Sequence, residues 1–159
     1  MIKHPIAPVY DGASKILILG SFPSVKSREY GFFYGHKQNR FWKVIAKICG
    51  ESTPESIEEK KAFLLRNNIA LWDVIASCEI EGSADSTIKN VTPNNLDKII
   101  RNSQIKAVFT NGKTAHTLYE KYNEDGIKDV CLPSTSPANA AWSADRLYEY
   151  WEKEIRRYL

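Results

Sequence analysis

Residues 15–20 read Lys-Ile-Leu-Ile-Leu-Gly, a short uninterrupted apolar run closed by glycine. A strand with one wet face alternates apolar and polar residues. A run without alternation is buried on both faces, as in a parallel sheet covered by helices. Ile69 to Ile75, residues 105–110 and residues 127–132 read as three further strands of this kind. Helical signals fall between them. Phe41, Val44, Ile45 and Ile48 recur at helical spacing and stop near Gly50. Ser52-Thr53-Pro54-Glu55 is a helix start: either Ser52 caps with Glu55 at N3, or Thr53 caps with Pro54 at N1. That helix runs to about Asn67–Asn68. Thr92-Pro93 opens another, with Leu96, Ile99 and Ile100 on one face, and Thr114 to Tyr122 forms the next. The last helix carries Ala144, Leu147, Tyr148, Trp151, Ile155 and Tyr158 at near-heptad spacing. Residues 78–91 are polar and read as loop. Strands alternating with helices predict an α/β fold, a three-layer α/β/α sandwich around a four-stranded parallel sheet. The chain has 159 residues and no linker, repeat or low-complexity tract, so residues 1–159 are expected to form a single domain.

In such a sheet ligands bind outside the carboxyl ends of the strands. Those ends are Gly20–Ser24, Trp72–Asp73, Thr110–Gly112 and Pro133–Asn139, and the Gly-, Pro-, Ser- and Asn-rich segments gather there. Residues 21–38 form a long irregular stretch whose aromatics (Phe22, Tyr30, Phe32, Phe33, Tyr34) argue for order and hence for a functional loop. The chemistry available at this edge is narrow. G-x-G-x-x-G, G-x-x-x-x-G-K-[ST] and G-x-S-x-G are all absent, which disfavours dinucleotide, P-loop and serine-hydrolase sites. The three cysteines (Cys49, Cys78, Cys131) and three histidines (His4, His36, His116) are scattered. They predict reduced thiols and neither a metal nor another cofactor. What remains is amides and hydroxyls: Asn39, Asn111, Asn139, Ser21, Ser24, Ser134 and Ser136. An amide orients and polarises water but has no useful basicity. It suits a reaction whose leaving group departs early through an oxocarbenium-like centre, such as hydrolysis of a nucleoside N-glycosidic bond.

The net charge of +3 is compatible with a nucleic-acid ligand and does not require one. Lys3, Lys15, Lys26, Arg28, Lys37, Arg40 and Lys43 crowd the first third, either as a DNA-facing patch or as a solvated basic face. No apolar run is long enough to span a bilayer and the N-terminus lacks the apolar core of a signal peptide. An intracellular, cytoplasmic protein is expected, nucleoid-associated if prokaryotic.

Four segments in order carry a family resemblance: Gly20-Ser21-Phe22-Pro23-Ser24 with Ser27; Tyr34-Gly35-His36-x-x-Asn39-Arg40-Phe41-Trp42; Phe109-Thr110-Asn111-Gly112; and Leu132-Pro133-Ser134-Thr135-Ser136-Pro137-Ala138-Asn139. Together they resemble the uracil-DNA glycosylase superfamily. The Gly82-Ser83-Ala84-Asp85-Ser86-Thr87-Ile88 element is similar to one in its hypoxanthine-DNA (DNA-deoxyinosine) glycosylase family, which is related to the mismatch-specific uracil/thymine enzymes. The resemblance implies a monomeric, monofunctional, cofactor-free glycosylase of base-excision repair. Such an enzyme flips a deaminated base (hypoxanthine, or xanthine or uracil) out of double- or single-stranded DNA and hydrolyses its N-glycosidic bond, leaving an abasic site. Three alternatives stand beside it: uracil as the main substrate, a non-catalytic nucleic-acid binder that kept the fold, and an unrelated α/β enzyme acting on a nucleoside or phosphorylated metabolite, which the missing phosphate loops disfavour.

Two positions depart from the wider superfamily. Phe22 stands where many members carry a polar Asn or Asp, and Ser134 where many carry His. The resemblance then moves catalysis to Asn39, makes Asn111 the base-reading amide with Tyr34 stacked on the base, and places Ser21 and Phe22 in the base pocket. Ser24, Ser27, Ser134, Ser136, Pro137 and Asn139 are expected to contact DNA. Each residue also has a plainer reading: Asn39 as a helix N-cap, Asn111 as a left-handed turn residue before Gly112, Tyr34 as a core aromatic, and the serines as turn chemistry. His36 reads as structural. Asp85 acquires no role from its motif. Trp42, Trp72 and Trp151 read as core, as do Phe32 and Phe33.

Overall fold

A computed structural model describes residues 1–159. In chain order the elements are β1 (Ile2–Lys3), β2 (Ile16–Gly20), α1 (Val25–Tyr30), α2 (Phe41–Ile48), α3 (Ile57–Arg66), β3 (Ile69–Asp73) and β4 (Ile75–Glu79). There follow β5 (Lys89–Pro93), α4 (Asp97–Arg101), β6 (Ala107–Asn111), α5 (Lys113–Tyr122), β7 (Val130–Leu132) and α6 (Ala144–Ile155). Short 3-10 turns lie at Asp85–Thr87 and Arg156–Tyr158.

All five residues of β2 are buried, and successive side chains point to opposite faces. Ile16 and Ile18 enter a large core with Phe41, Trp42 and Ile45 of α2, Phe63 and Leu64 of α3, and Leu147 and Trp151 of α6. Leu17 and Leu19 enter a smaller core with Leu96, Ile99 of α4 and Tyr119 of α5. The neighbouring strands divide likewise, with Ile69, Leu71, Ala107 and Phe109 on the first side and Ala70 and Val108 on the second. This is the three-layer sandwich with a four-stranded sheet, in the order β3-β2-β6-β7, every pair parallel.

Several local expectations are corrected. The strand read through Ile75 ends at Asp73. Val74 starts a bend, and β4 leaves for a second, antiparallel sheet, β1-β4-β5. The polar stretch 78–91 therefore holds the end of β4, a 3-10 turn and the start of β5. Thr92 and Pro93 close β5 and do not open a helix, since Pro93 needs no N–H at a strand terminus. Helix α3 starts at Ile57, later than the Ser52–Glu55 signal. Ser56 is its cap, accepting from the Glu59 N–H at 3.0 Å, while Glu59 reaches back to the Glu55 N–H. Within the irregular stretch after β2, residues Val25–Tyr30 are helical and capped by Ser24. The fourth strand is three residues long rather than six.

Candidate active site at the carboxyl edge of the sheet

A cavity of about 150 Å3 opens at the carboxyl ends of β2, β3 and β6. Cavities of that order hold an aromatic ring system. Ser21, Phe22, Ser24, Ser27, Tyr34, Asn39, Asn111, Ser134 and Ser136 all line it, although they come from four separate stretches of chain. Asn139 lines an adjoining hollow, with Trp142 and Tyr150; Pro137 borders neither.

The floor is set by backbone approach. A Cβ on Gly20 would lie 2.4 Å from Asp73 Oδ1 and 3.2 Å from the Tyr34 hydroxyl, so only glycine fits at the end of β2. Asp73, at the end of β3, is buried and bonded at 2.7 Å to Nε2 of His4. The His4 ring stands edge-on to Phe22, with centroids 5.9 Å apart. Arg28 covers Phe22 from the other direction. Phe22 thus fills the place of a polar residue with packing.

Asn111 ends β6 in extended backbone. Gly112 takes the positive φ of +98°, so the turn reading fails for Asn111 and holds for its neighbour. The amide is held at two points: its Oδ1 accepts from the Thr135 N–H at 3.0 Å, and its Nδ2 donates to Thr135 Oγ1 at 3.0 Å. One N–H and one lone pair remain for a ligand.

Tyr34 stacks on Phe41 with centroids 4.2 Å apart and lines the cavity. Its backbone is left-handed, φ 54°, a conformation that costs a bulky residue on the order of 1–3 kcal/mol. Bonds on both sides enforce it. Gly35 N–H donates to Ser27 Oγ, and the Trp42 indole N–H donates to the Phe33 carbonyl. The Tyr34 hydroxyl is buried beside Asn111 and Asp73 with no partner in hydrogen-bond geometry; burial first and the Asp73 charge second drive its pKa far above the ordinary tyrosine value, against the nearby Asn111 amide.

Asn39 lies just before α2, and its Oδ1 accepts from the Phe41 N–H at 2.9 Å. The N-cap position of α2 is Arg40, one residue later than expected; Asn39 nonetheless satisfies the first N–H of the helix, and that bond fixes its carboxamide so that Nδ2 remains as a free donor on a residue lining the cavity. Ser24 caps α1 through the Ser27 N–H. Ser27, expected at the DNA, is buried, with its hydroxyl taken by Ser24 and the Gly35 N–H; it holds the loop together. Arg40 donates to the carbonyls of Thr135, Ser136, Asn139 and Trp142, and Arg28 to those of Pro23 and Gly82. These two members of the basic cluster clamp loops together. Ser134 Oγ accepts from the Ser136 N–H, and Asn139 Nδ2 donates to the Ser134 carbonyl. His36 Nδ1 accepts from the Gln38 N–H.

Four residues that sequence reasoning left without a role complete the site. His4 and Asp73 lie beneath it, Thr135 anchors Asn111, and Asp85 stands at the mouth. Asp73 and Thr135 fall at the named strand ends, so the edge rule contained them. Nothing local marks His4, which arrives through the β1–β4 pairing. Ser21 Oγ lies 3.3 Å from both Asp85 oxygens. The Asp85 carboxylate is ringed by protein although the residue as a whole is exposed. This burial raises its pKa, and Asp73 adds to the rise against hydrogen bonds from Ser21 and Thr114.

Fold and site together define an α/β protein with a parallel central sheet and a cavity at its carboxyl edge lined by two amides and an aromatic ring. The model of the uracil DNA glycosylase superfamily matches residues 7–156. A protein named hypoxanthine DNA glycosylase from Methanosarcina acetivorans is 34% identical over 158 residues, covering 98% of this chain and 99% of the relative. One of the same name from Methanosarcina barkeri is 34% identical over 142 residues, covering 87% and 89%. A solution NMR structure of a Methanosarcina acetivorans protein described as a uracil DNA glycosylase superposes with a TM-score of 0.82 at 34% identity, covering 99% and 98% of the two chains. The chain belongs to the uracil DNA glycosylase superfamily.

Proposed function

We propose that this protein is a base-excision repair glycosylase that removes hypoxanthine from DNA. The observation that carries the reading is the doubly anchored Asn111 amide inside a ring-sized cavity. Hypoxanthine, xanthine and uracil each present an N–H beside a C=O. An amide that cannot flip accepts from the first and donates to the second. Adenine and cytosine present an acceptor beside an amino donor, and against that fixed amide they leave buried polar groups mismatched. Tyr34 offers its ring to the flipped base, an interaction of about 1–3 kcal/mol per base. Asn39 offers its free N–H groups to charge developing on the base or to the attacking water, at the positive end of α2. Ser24, Ser134 and Ser136 border the cavity and Asn139 the adjoining hollow, with Pro137 on the same loop, where the flanking phosphates would pass.

Labelled duplexes carrying deoxyinosine, deoxyxanthosine or deoxyuridine, incubated with the protein and then cleaved with alkali, test the reading. Alkali-dependent cleavage at deoxyinosine is expected. Preference for deoxyuridine would shift the substrate, cleavage without alkali would indicate a lyase, and no cleavage of any duplex would reject the enzyme.

A further inference from the structure

The amides of this site cannot take a proton, yet hydrolysis of a glycosidic bond releases one from water. We propose that Asp85 is the general base of the reaction, accepting the proton of the attacking water; the assignment rests on the glycosylase reading above. Two aspartates line the cavity, and they differ in what they have left to offer. Asp73 is buried and already bonded to His4 at 2.7 Å. Asp85 receives the long, shared contact from Ser21 at 3.3 Å to each oxygen and a contact from Thr114, so acceptor capacity remains on a carboxylate that lines the cavity.

The loop that carries Asp85 is pinned on both sides. Arg28 of α1 donates to the Gly82 carbonyl at 2.7 Å, and the Val25 N–H donates to Ser83 Oγ at 2.9 Å. Within the loop, Thr87 Oγ1 accepts from the Glu81 N–H at 2.9 Å and donates to the Ala84 carbonyl at 2.6 Å. A polar surface turn held by four such contacts is a rigid mount, and a base must be held in place to act.

The groups around Asp85 come from several neighbouring elements: Ser21 after β2, Asp73 of β3, Cys78 of β4, Thr114 of α5, and Lys89 of β5 and Lys113 of α5 across the adjoining hollow. Burial outweighs the hydrogen bonds, and the carboxylate binds a proton more tightly than a free aspartate does. That makes it a better base at neutral pH.

The N9–C1′ bond of the purine nucleotide breaks, and its electron pair stays on the base. Water oxygen forms the new bond to C1′. One water proton passes to Asp85, which returns it through solvent to the departing purine anion.

Asp85→Asn separates chemistry from scaffolding, because the amide oxygen still accepts from Ser21. Single-turnover excision from a deoxyinosine duplex is measured for wild type and variant across the acid-to-neutral range, with anisotropy binding of the same duplex and a thermal melt. The variant is expected to fold and to bind like wild type, to lose on the order of 10²–10⁴ in rate, and to lose the acid limb of the profile. Excision within tenfold of wild type with the acid limb intact would overturn the inference while leaving the glycosylase reading standing. So would lost binding with unchanged rate at saturation, or an acid limb that vanishes only in His36→Asn. Asp85→Ala gives the same readouts should the amide disturb the turn. An inactive wild type overturns both.

Discussion

Asn111 and Thr135 grip each other at two points, N–H to Oδ1 and Nδ2 to Oγ1, both at 3.0 Å. Twenty-four residues separate them, and the clasp joins the end of β6 to the loop after β7. A carboxamide on a single bond can rotate and present either edge. With both ends engaged it presents one, and recognition of a deaminated base depends on that choice.

Thr135→Val removes one anchor and keeps the backbone one. The amide then gains freedom to turn. The expected outcome is a small change in melting temperature, slower excision at deoxyinosine and a narrower ratio of hypoxanthine to adenine release. Asn111→Ala instead strands the Thr135 N–H, whose residue is fully buried. An orphaned buried donor costs about 1–3 kcal/mol, so this variant melts several degrees lower and excises poorly. Calorimetry with single-turnover assays on both variants checks the pair.

Asn39 carries a structural bond and a proposed chemical one, and they come apart by substitution. Asn39→Asp keeps an acceptor for the Phe41 N–H and loses the N–H donors. It should melt at or above the wild-type temperature while excision collapses. Asn39→Ala loses both, with a cap penalty of about 0.5–2 kcal/mol. Near-normal excision in the aspartate variant would reduce Asn39 to a cap.

The Tyr34 hydroxyl has no partner in its buried position. Deleting an unsatisfied polar group is neutral or stabilising. Tyr34→Phe should match or exceed the wild-type melting temperature and retain most excision, since stacking uses the ring face. A large loss of rate would mean that the hydroxyl bonds the flipped base.

Gly20 and His4 should couple through Asp73. Gly20→Ala drives a methyl into a carboxylate that His4 holds still, an overpacking that costs about 1–3 kcal/mol. Removing His4 frees the carboxylate to move. In a double-mutant cycle by thermal melts, Gly20→Ala with His4→Ala is expected to lose less than the sum of the single losses.

Asp85 should trade stability for chemistry. Its folded pKa lies above the unfolded value near 3.8, so the native chain binds the proton more tightly. Stability then falls as pH rises from about that value through the raised one, and stays lower above it. Asp85→Asn lacks this penalty. It should melt above wild type at neutral pH, with the two curves converging in acid.

Much of this was legible in the chain. The unbroken Ile16–Leu19 run fixed a strand buried on both faces, and the alternation of strands with helices gave the sandwich, because burial and periodicity are local signals. The edge rule located the site, since Gly20, Asn111 and Ser134 each sit at a strand end. Other elements were not legible. Pro93 follows threonine at what looks like a helix start, yet pairing with Ile75 makes it the end of a strand. Ser27 looks like a free hydroxyl until the fold buries it, and Arg40 looks like a DNA contact until four carbonyls converge on it.

The sequence by itself determined the layer order, the cavity's edge and the amide and aromatic chemistry offered there. Only the tertiary structure decided what each group is free to do. It spent Ser27, Arg28 and Arg40 on holding loops, locked Asn111 through Thr135, paired Asp73 with His4 from a distant strand, and left Asp85 open to the cavity. The reason is physical. Periodicity records which side a residue faces, whereas a hydrogen-bond partner from a remote segment leaves no local trace.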